Sequence, residues 1–149
     1  MAVFGTRSLV LRLATQAAPT VFADFTADVS DVRIKSAESD SDFLSFAEAA
    51  AGGARKYTLV TTLRQDNATT AIWYKAWAET GNTVPYEVWP LGRPGTGTPT
   101  ASQPRFAGSV VIKEPSGDMI GGEANNSTTA VFTSEFEWDC TGKPVLSVS

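Results

Sequence analysis

Residues 128–143 read TTAVFTSEFEWDCTGK. From Ala130 onward this stretch alternates. Ala130, Phe132, Ser134, Phe136, Trp138 and Cys140 fall on one side of an extended chain, and Val131, Thr133, Glu135, Glu137 and Asp139 on the other. A period of two marks a β-strand with two unlike faces. The first face seeks a core. A slip of one residue would bury three carboxylates, which is prohibitive without partners. The acidic face needs a destination: bulk water, or an aqueous channel built by several copies.

The chain has 149 residues, which fits one domain with a core of its own. Its composition, 42% hydrophobic and 19% charged, is that of an ordinary globular protein. A net charge of −4 argues against a protein that grips nucleic acid along its backbone, though not against one that DNA merely passes. There is no histidine, which excludes His-based acid–base chemistry, Ser-His-Asp triads and His metal sites. The single cysteine, Cys140, has no partner for an intrachain disulfide. After Arg7 comes SLVLRLATQAAPTVFA, but Arg12 interrupts its apolar run, so it reads as a strand over 8–14 rather than a signal peptide. No apolar run approaches the ~18 residues of a membrane span.

Further strands are expected at 26–35, 56–65, 83–92, 105–115 and 118–123, with a short extended tail after Gly142. Pro85 and Pro90 place the 83–92 strand at a sheet edge or bound it. Phe43, Phe46, Ala47 and Ala50 at helical spacing predict a short helix over about 42–51, with Ser39, Asp40 or Ser41 as caps and Gly52-Gly53 as its stop. A second helix follows Asp66-Asn67, with Gly81 at its C′ position. Its Ile72, Trp73, Ala76 and Trp77 side is expected to pack on a sheet. The loop RPGTGTPTASQP (93–104) is long enough to imply a role, and its exposed residues Arg93, Gly95, Thr96, Gly97, Thr98 and Ser102 are candidate contact points. The order predicts a mainly β fold with a flanking α-helix: two packed antiparallel sheets, as a β-sandwich or partly closed barrel.

Catalytic chemistry finds little support. Glu135, Glu137 and Asp139 lie about 7 Å apart along one strand, so only a second loop would close a cation cage around them. Paired carboxylates also serve glycoside hydrolysis, with tryptophans as sugar platforms, but no loop joins a matched acid and nucleophile. GTGTPT lacks the Gly-Lys-Ser/Thr ending of a phosphate loop. No enzyme activity, catalytic residue, metal or cofactor is expected.

The succession FAEAAAGGARKYTL, AIWYKAW, TVPYEVWPLG, PRFAGSVVI, GGEANNSTTAVFTSEFEW and GKPVL resembles the major tail (tail tube) proteins of long-tailed bacteriophages, especially those of actinobacteria. The resemblance covers roughly residues 25–146 and rests on element order, not on a catalytic signature. It implies one tail tube domain over 1–149, with an N-terminal arm over about 1–25 and an extended tail over about 142–149. It implies hexameric rings stacked into a hollow tube, located in the virion tail and assembled in the host cytoplasm. Its partners would be other copies of the chain, tape measure and tube-end proteins, and DNA passing without specific binding; no membrane is involved. Glu135, Glu137 and Asp139 are then candidates to face an acidic lumen. The alternative is a carbohydrate- or receptor-binding β-sandwich domain of a virion or secreted protein, with its aromatics in an exposed patch.

Overall fold

A computed structural model describes residues 3–38, 43, 45–51 and 55–149. The strands are β1 (Val10–Leu13), β2 (Ala23–Asp24), β3 (Val29–Glu38), β4 (Arg55–Arg64), β5 (Thr83–Trp89), β6 (Arg105–Val111), β7 (Thr133–Cys140) and β8 (Val145–Ser147). The helices are α1 (Phe46–Ala50) and α2 (Ile72–Ala78). The fold is mainly β with a flanking helix, and the eight strands form one antiparallel sheet in the order β2-β1-β5-β6-β7-β4-β3, with β8 also on β6.

β6 is where this sheet divides. Its first residues, Arg105 to Ala107, pair with β8, and its last two, Val110 and Val111, pair with Cys140 and Asp139 of β7. The two halves on either side of that branch share one core. Leu11, Leu13, Val84, Tyr86 and Val88 come from one half, and Leu59, Leu63, Phe136 and Trp138 from the other. The expected pair of sheets is therefore realised as two halves of one coiled sheet. Tyr86 sits opposite Gly108, and a Cβ at Gly108 would lie 2.9 Å from the Tyr86 hydroxyl oxygen. The missing side chain lets the aromatic ring lie across β6 at the branch.

α2 lies against this core through Ile72 and Ala76, both buried. Asp66 accepts from the Ala68 amide at 2.9 Å, four residues before the helix begins. The N–H of Ile72 instead donates to Asp28 Oδ2 at 3.3 Å, a cap supplied from a distant turn. The same carboxylate holds Arg64 at 2.9 Å, tying helix start to sheet. Gly81, expected at C′, lies one position further along at φ 89°, since Glu79 is the C-cap, and it donates its N–H to Ile112 O at 2.7 Å. The first helix is shorter than expected. Ser45 caps it by accepting from the Glu48 amide at 3.1 Å, while its hydroxyl donates to Glu48 Oε1 at 3.2 Å. Ser39, Asp40, Ser41, Gly52 and Gly53 lie outside the described residues.

Several expectations need correction. Residues 118–123 form no strand, because Gln65 takes the place of a strand partner. Its side-chain amide donates to Gly121 O at 3.1 Å and accepts from the Gly121 N–H at 2.7 Å. β5 is central, between β1 and β6, despite Pro85. The Pro85 carbonyl accepts from Ala14 N, so its missing N–H faces the side where β1 has already ended. β1 lies inside the sheet, with Leu11 and Leu13 buried. The C-terminal tail contributes β8.

The helix face is also narrower than expected. Ile72 and Ala76 are buried and Trp73 packs partly on the core, but Trp77 is 49% exposed and stacks on Trp73 at 5.5 Å. Trp73 holds its position through its indole N–H, which donates to Met119 O at 3.1 Å. The large core tryptophan is Trp138, fully buried on β7. Trp138→Ala is expected to cost about 3–5 kcal/mol. Trp77→Ala is expected to cost about 0.5–1.5 kcal/mol, the worth of one aromatic pair. Urea unfolding of both variants checks this order; equal costs would contradict the burial assignment.

Candidate functional site

The alternation along β7 is as read from the sequence. Ser134, Phe136 and Trp138 are buried, and Thr133, Glu135 and Glu137 are exposed. The strand begins at Thr133, so Phe132 lies before it and is 48% exposed rather than in the core. Outward from β7, Glu135 lies opposite Thr62, Glu137 opposite Val60 and Asp139 opposite Thr58. On the next strand, Arg33 pairs with Val60 and Lys35 with Thr58.

This register changes the electrostatic character of the face. Asp139 is held between Lys56 at 3.3 Å and Lys113 at 3.4 Å. Arg33 pairs with its own strand neighbour Asp31 at 2.6 Å. The outward positions of β3, β4 and β7, with the chain just beyond β6, thus carry Asp31, Glu135, Glu137 and Asp139 against Arg33, Lys35, Lys56, Arg64 and Lys113. The expected band of three free carboxylates is corrected to two. Glu135 and Glu137 form no ion pair among the described residues, while Asp139 is neutralised by two lysines. Nothing in the sequence singles out Lys56 and Lys113, because only the strand register brings them to Asp139.

The 93–104 loop is partly as expected. Arg93, Gly95, Thr96, Thr98 and Ser102 are exposed, and Gly97 is half-buried at φ 73°. Yet the loop is anchored: Pro99 and Pro104 are buried, and Thr100 and Gln103 exchange two backbone hydrogen bonds of 3.1 Å. Arg93 reaches back over the Trp89 ring at 6.0 Å, and Arg105 lies over the same ring at 5.8 Å.

Trp89 belongs to a cluster that sequence reasoning missed. It points outward from β5, yet it is fully buried. Glu87 beside it is buried between Arg12 at 2.9 Å and Arg105 at 3.5 Å. Arg12 also lies over Phe22 at 5.6 Å. The pairing of Arg12 with Glu87 across β1 and β5 sets this arrangement. The sequence signal was an arginine interrupting one apolar strand and a glutamate interrupting another, but which strands are neighbours was not visible. Truncating one partner of such a pair leaves an uncompensated charge, so the cluster reads as a structural clamp.

Burial pushes the Cys140 thiol up from its ordinary pKa, which keeps it protonated and weakly reactive. Burial likewise raises the Tyr86 hydroxyl. Among the described residues no group of three or more His, Cys, Asp or Glu side chains is placed to hold a metal ion. No protein-family model matches the chain, and comparison with curated proteins yields no match.

One buried charge does have a measurable consequence. Lys75 on α2 is 9% exposed, with Nζ 5.8 Å from the Phe25 ring centre. Burial lowers its pKa below the ordinary 10.5, opposed by the Glu79 carboxylate. Between the lowered value and 10.5 the unfolded chain binds more protons than the folded one. Stability therefore rises with pH in that window, and the penalty of the buried charge is fully present below it. Lys75→Met keeps the stem and removes the charge. It is expected to raise the melting temperature at pH 7, with the gain shrinking toward pH 10.5. A gain independent of pH, in melting curves across that range, would contradict the charge origin.

Proposed function

We propose that this chain is a structural subunit that polymerises, copy on copy, into stacked rings forming the tube of a phage tail, through which DNA passes. The observation that carries the proposal is the free edge of β3. Ten residues long, β3 pairs on one side with β4 and, among the described residues, with no strand on the other. At 3.2–3.4 Å per residue such an edge runs about 33 Å. An exposed edge of that length is a template for pairing with another chain. Ring closure uses edges as interfaces and leaves none open. The resemblance of element order to tail tube proteins supports the same reading. Hexameric symmetry, the virion location and tape measure or tube-end partners come from the resemblance alone.

In this reading the outward face of β3, β4 and β7 lines the lumen. Its wall is mixed in sign, with Glu135, Glu137 and Lys35 outside the ion pairs formed among the described residues. Such a wall does not hold phosphate, so DNA moves without being gripped. The alternative, a carbohydrate- or receptor-binding domain, draws on Trp77 and Tyr74, which are 49% and 38% exposed on α2. It is weaker, because Trp89 and Trp138 are fully buried and Trp73 packs against the core.

Negative-stain microscopy of the concentrated protein tests the proposal, with rings or hollow tubes as the expected outcome. Dispersed monomers at millimolar concentration would contradict it. Within tubes, changing Glu135 and Glu137 to lysine is expected to make added linear DNA adhere inside the channel. Asp139 is spared in that variant because a lysine there would face Lys56 and Lys113. Unchanged DNA passage would place the face away from the lumen.

A further inference from the structure

Two apolar features among the described residues lie open to solvent. The first is α1. Its Phe46 is 97% exposed, and no residue of the helix is buried. The second is a groove of about 440 Å³ at the open end of the coiled sheet, between the β3 half and the β5–β6 half. Phe4, Leu9, Val32, Ile34, Val88 and Phe106 line it. It opens into a more polar lobe through Gly5, Leu9 and Val32, which border both.

Charge selects the occupant. From Ser36 to Ala54 the sequence carries four carboxylates, Glu38, Asp40, Asp42 and Glu48, and no cation. The groove is flanked by Lys143 on its apolar side and Arg7 on its polar side. Asp31, the carboxylate at the polar lobe, is already paired with Arg33. An acidic segment with an aromatic knob therefore meets an apolar groove with a basic rim. Opposite potentials of this kind steer encounter and fix register.

We propose that α1 of one copy docks with Phe46 in the Phe4–Leu9–Val32–Ile34–Phe106 groove of a second copy. This rests on the self-assembly reading above and names a contact within it. The knob and the groove are different surfaces of one chain, so used head to tail the contact is heterologous and propagates into rings or filaments. One phenylalanine buries about 150–250 Å². That is well short of the ~1,200 Å² of a stable interface, so the contact works together with edge pairing and is transient in isolated chains.

Disulfide trapping accumulates such a contact. Ala50 lies one turn from Phe46 on the same face of α1 and is exposed. A Cβ added at Gly5 meets nothing within 4 Å, so a cysteine is tolerated there in the groove wall. The full chain carrying Cys140→Ala is made as Ala50→Cys and, separately, as Gly5→Cys, and the two are mixed under oxidation. Gly117→Cys, equally open but outside the groove, replaces Gly5→Cys in the control. A cross-linked dimer at least tenfold above the control is expected, and adding Phe46→Asp to the Ala50→Cys chain returns it to the control level. A dimer no stronger than the control, or one indifferent to Phe46→Asp, overturns the proposal. So does an intrachain bond in a dilute Ala50→Cys/Gly5→Cys chain, which would seat the helix in its own groove. Microscopy of the same samples separates the two claims. Tubes without the cross-link overturn the docking alone; the cross-link without tubes upholds the docking and overturns the tube; neither overturns both.

Discussion

The branch at β6 is the constraint on which the rest of the molecule depends. A single antiparallel sheet has two faces and must bury one of them. Here the burial is internal: β6 bonds to β8 over its first residues and to β7 over its last, so the sheet coils and its halves share one core. The turn of the sheet needs room where the partner changes, and Gly108 beneath the Tyr86 ring provides it. α2 then covers the remaining apolar surface with Ile72 and Ala76, its start held by Asp28 and Arg64. Coiling also has a cost. It leaves the sheet ends apart, with the long β3 edge and an apolar groove open beside them.

The outward faces of the two halves are handled differently. On the β1–β5–β6 half, Arg12, Glu87 and Arg105 form a partly buried clamp over which the 93–104 loop returns, with Arg93 on Trp89. That face is closed. On the β3–β4–β7 half, the charged side chains stay exposed or half-exposed and carry both signs, with Glu135 and Glu137 outside the ion pairs formed among the described residues. In the proposed tube this face would form the wall, and the β3 edge, unpaired among the described residues, the joint between copies. Repulsion between like carboxylates of neighbouring copies is screened over ~8 Å at physiological salt.

Much of the fold was legible where one physical signal acted alone. β7 was readable because its alternation separates Phe136 and Trp138 from Glu135 and Glu137, and burial decides such a strand without help from distant chain. β4 was readable to within a residue at each end, whereas β6 ends at Val111, short of the expected 105–115. The misses share a different cause: a distant group took over a local role. Gln65 replaced a strand partner for Gly121, Asp28 replaced a local cap for α2, and the early end of β1 let Pro85 sit in a central strand. Trp77 was misplaced because i, i+4 spacing assigns it to Trp73 but not to the core. In the candidate face, the positions of the acidic residues were legible, but the lysines that neutralise Asp139 were not, since they come from β4 and the chain just beyond β6. The Glu87 clamp was invisible for the same reason: it needs the order of strands, not their existence.

The edge of β3 is where fold and proposed function meet. If copies join along it, its backbone amides that do not bond to β4 gain partners only in the assembly. Hydrogen–deuterium exchange, read residue by residue over Val29–Glu38 in dispersed and in assembled protein, measures this. Self-assembly through the edge predicts that those amides exchange at least tenfold more slowly in the tube, while the buried strand β7 changes little. Unchanged exchange along β3 in intact tubes would mean that the edge stays open and that the subunits are joined by other surfaces.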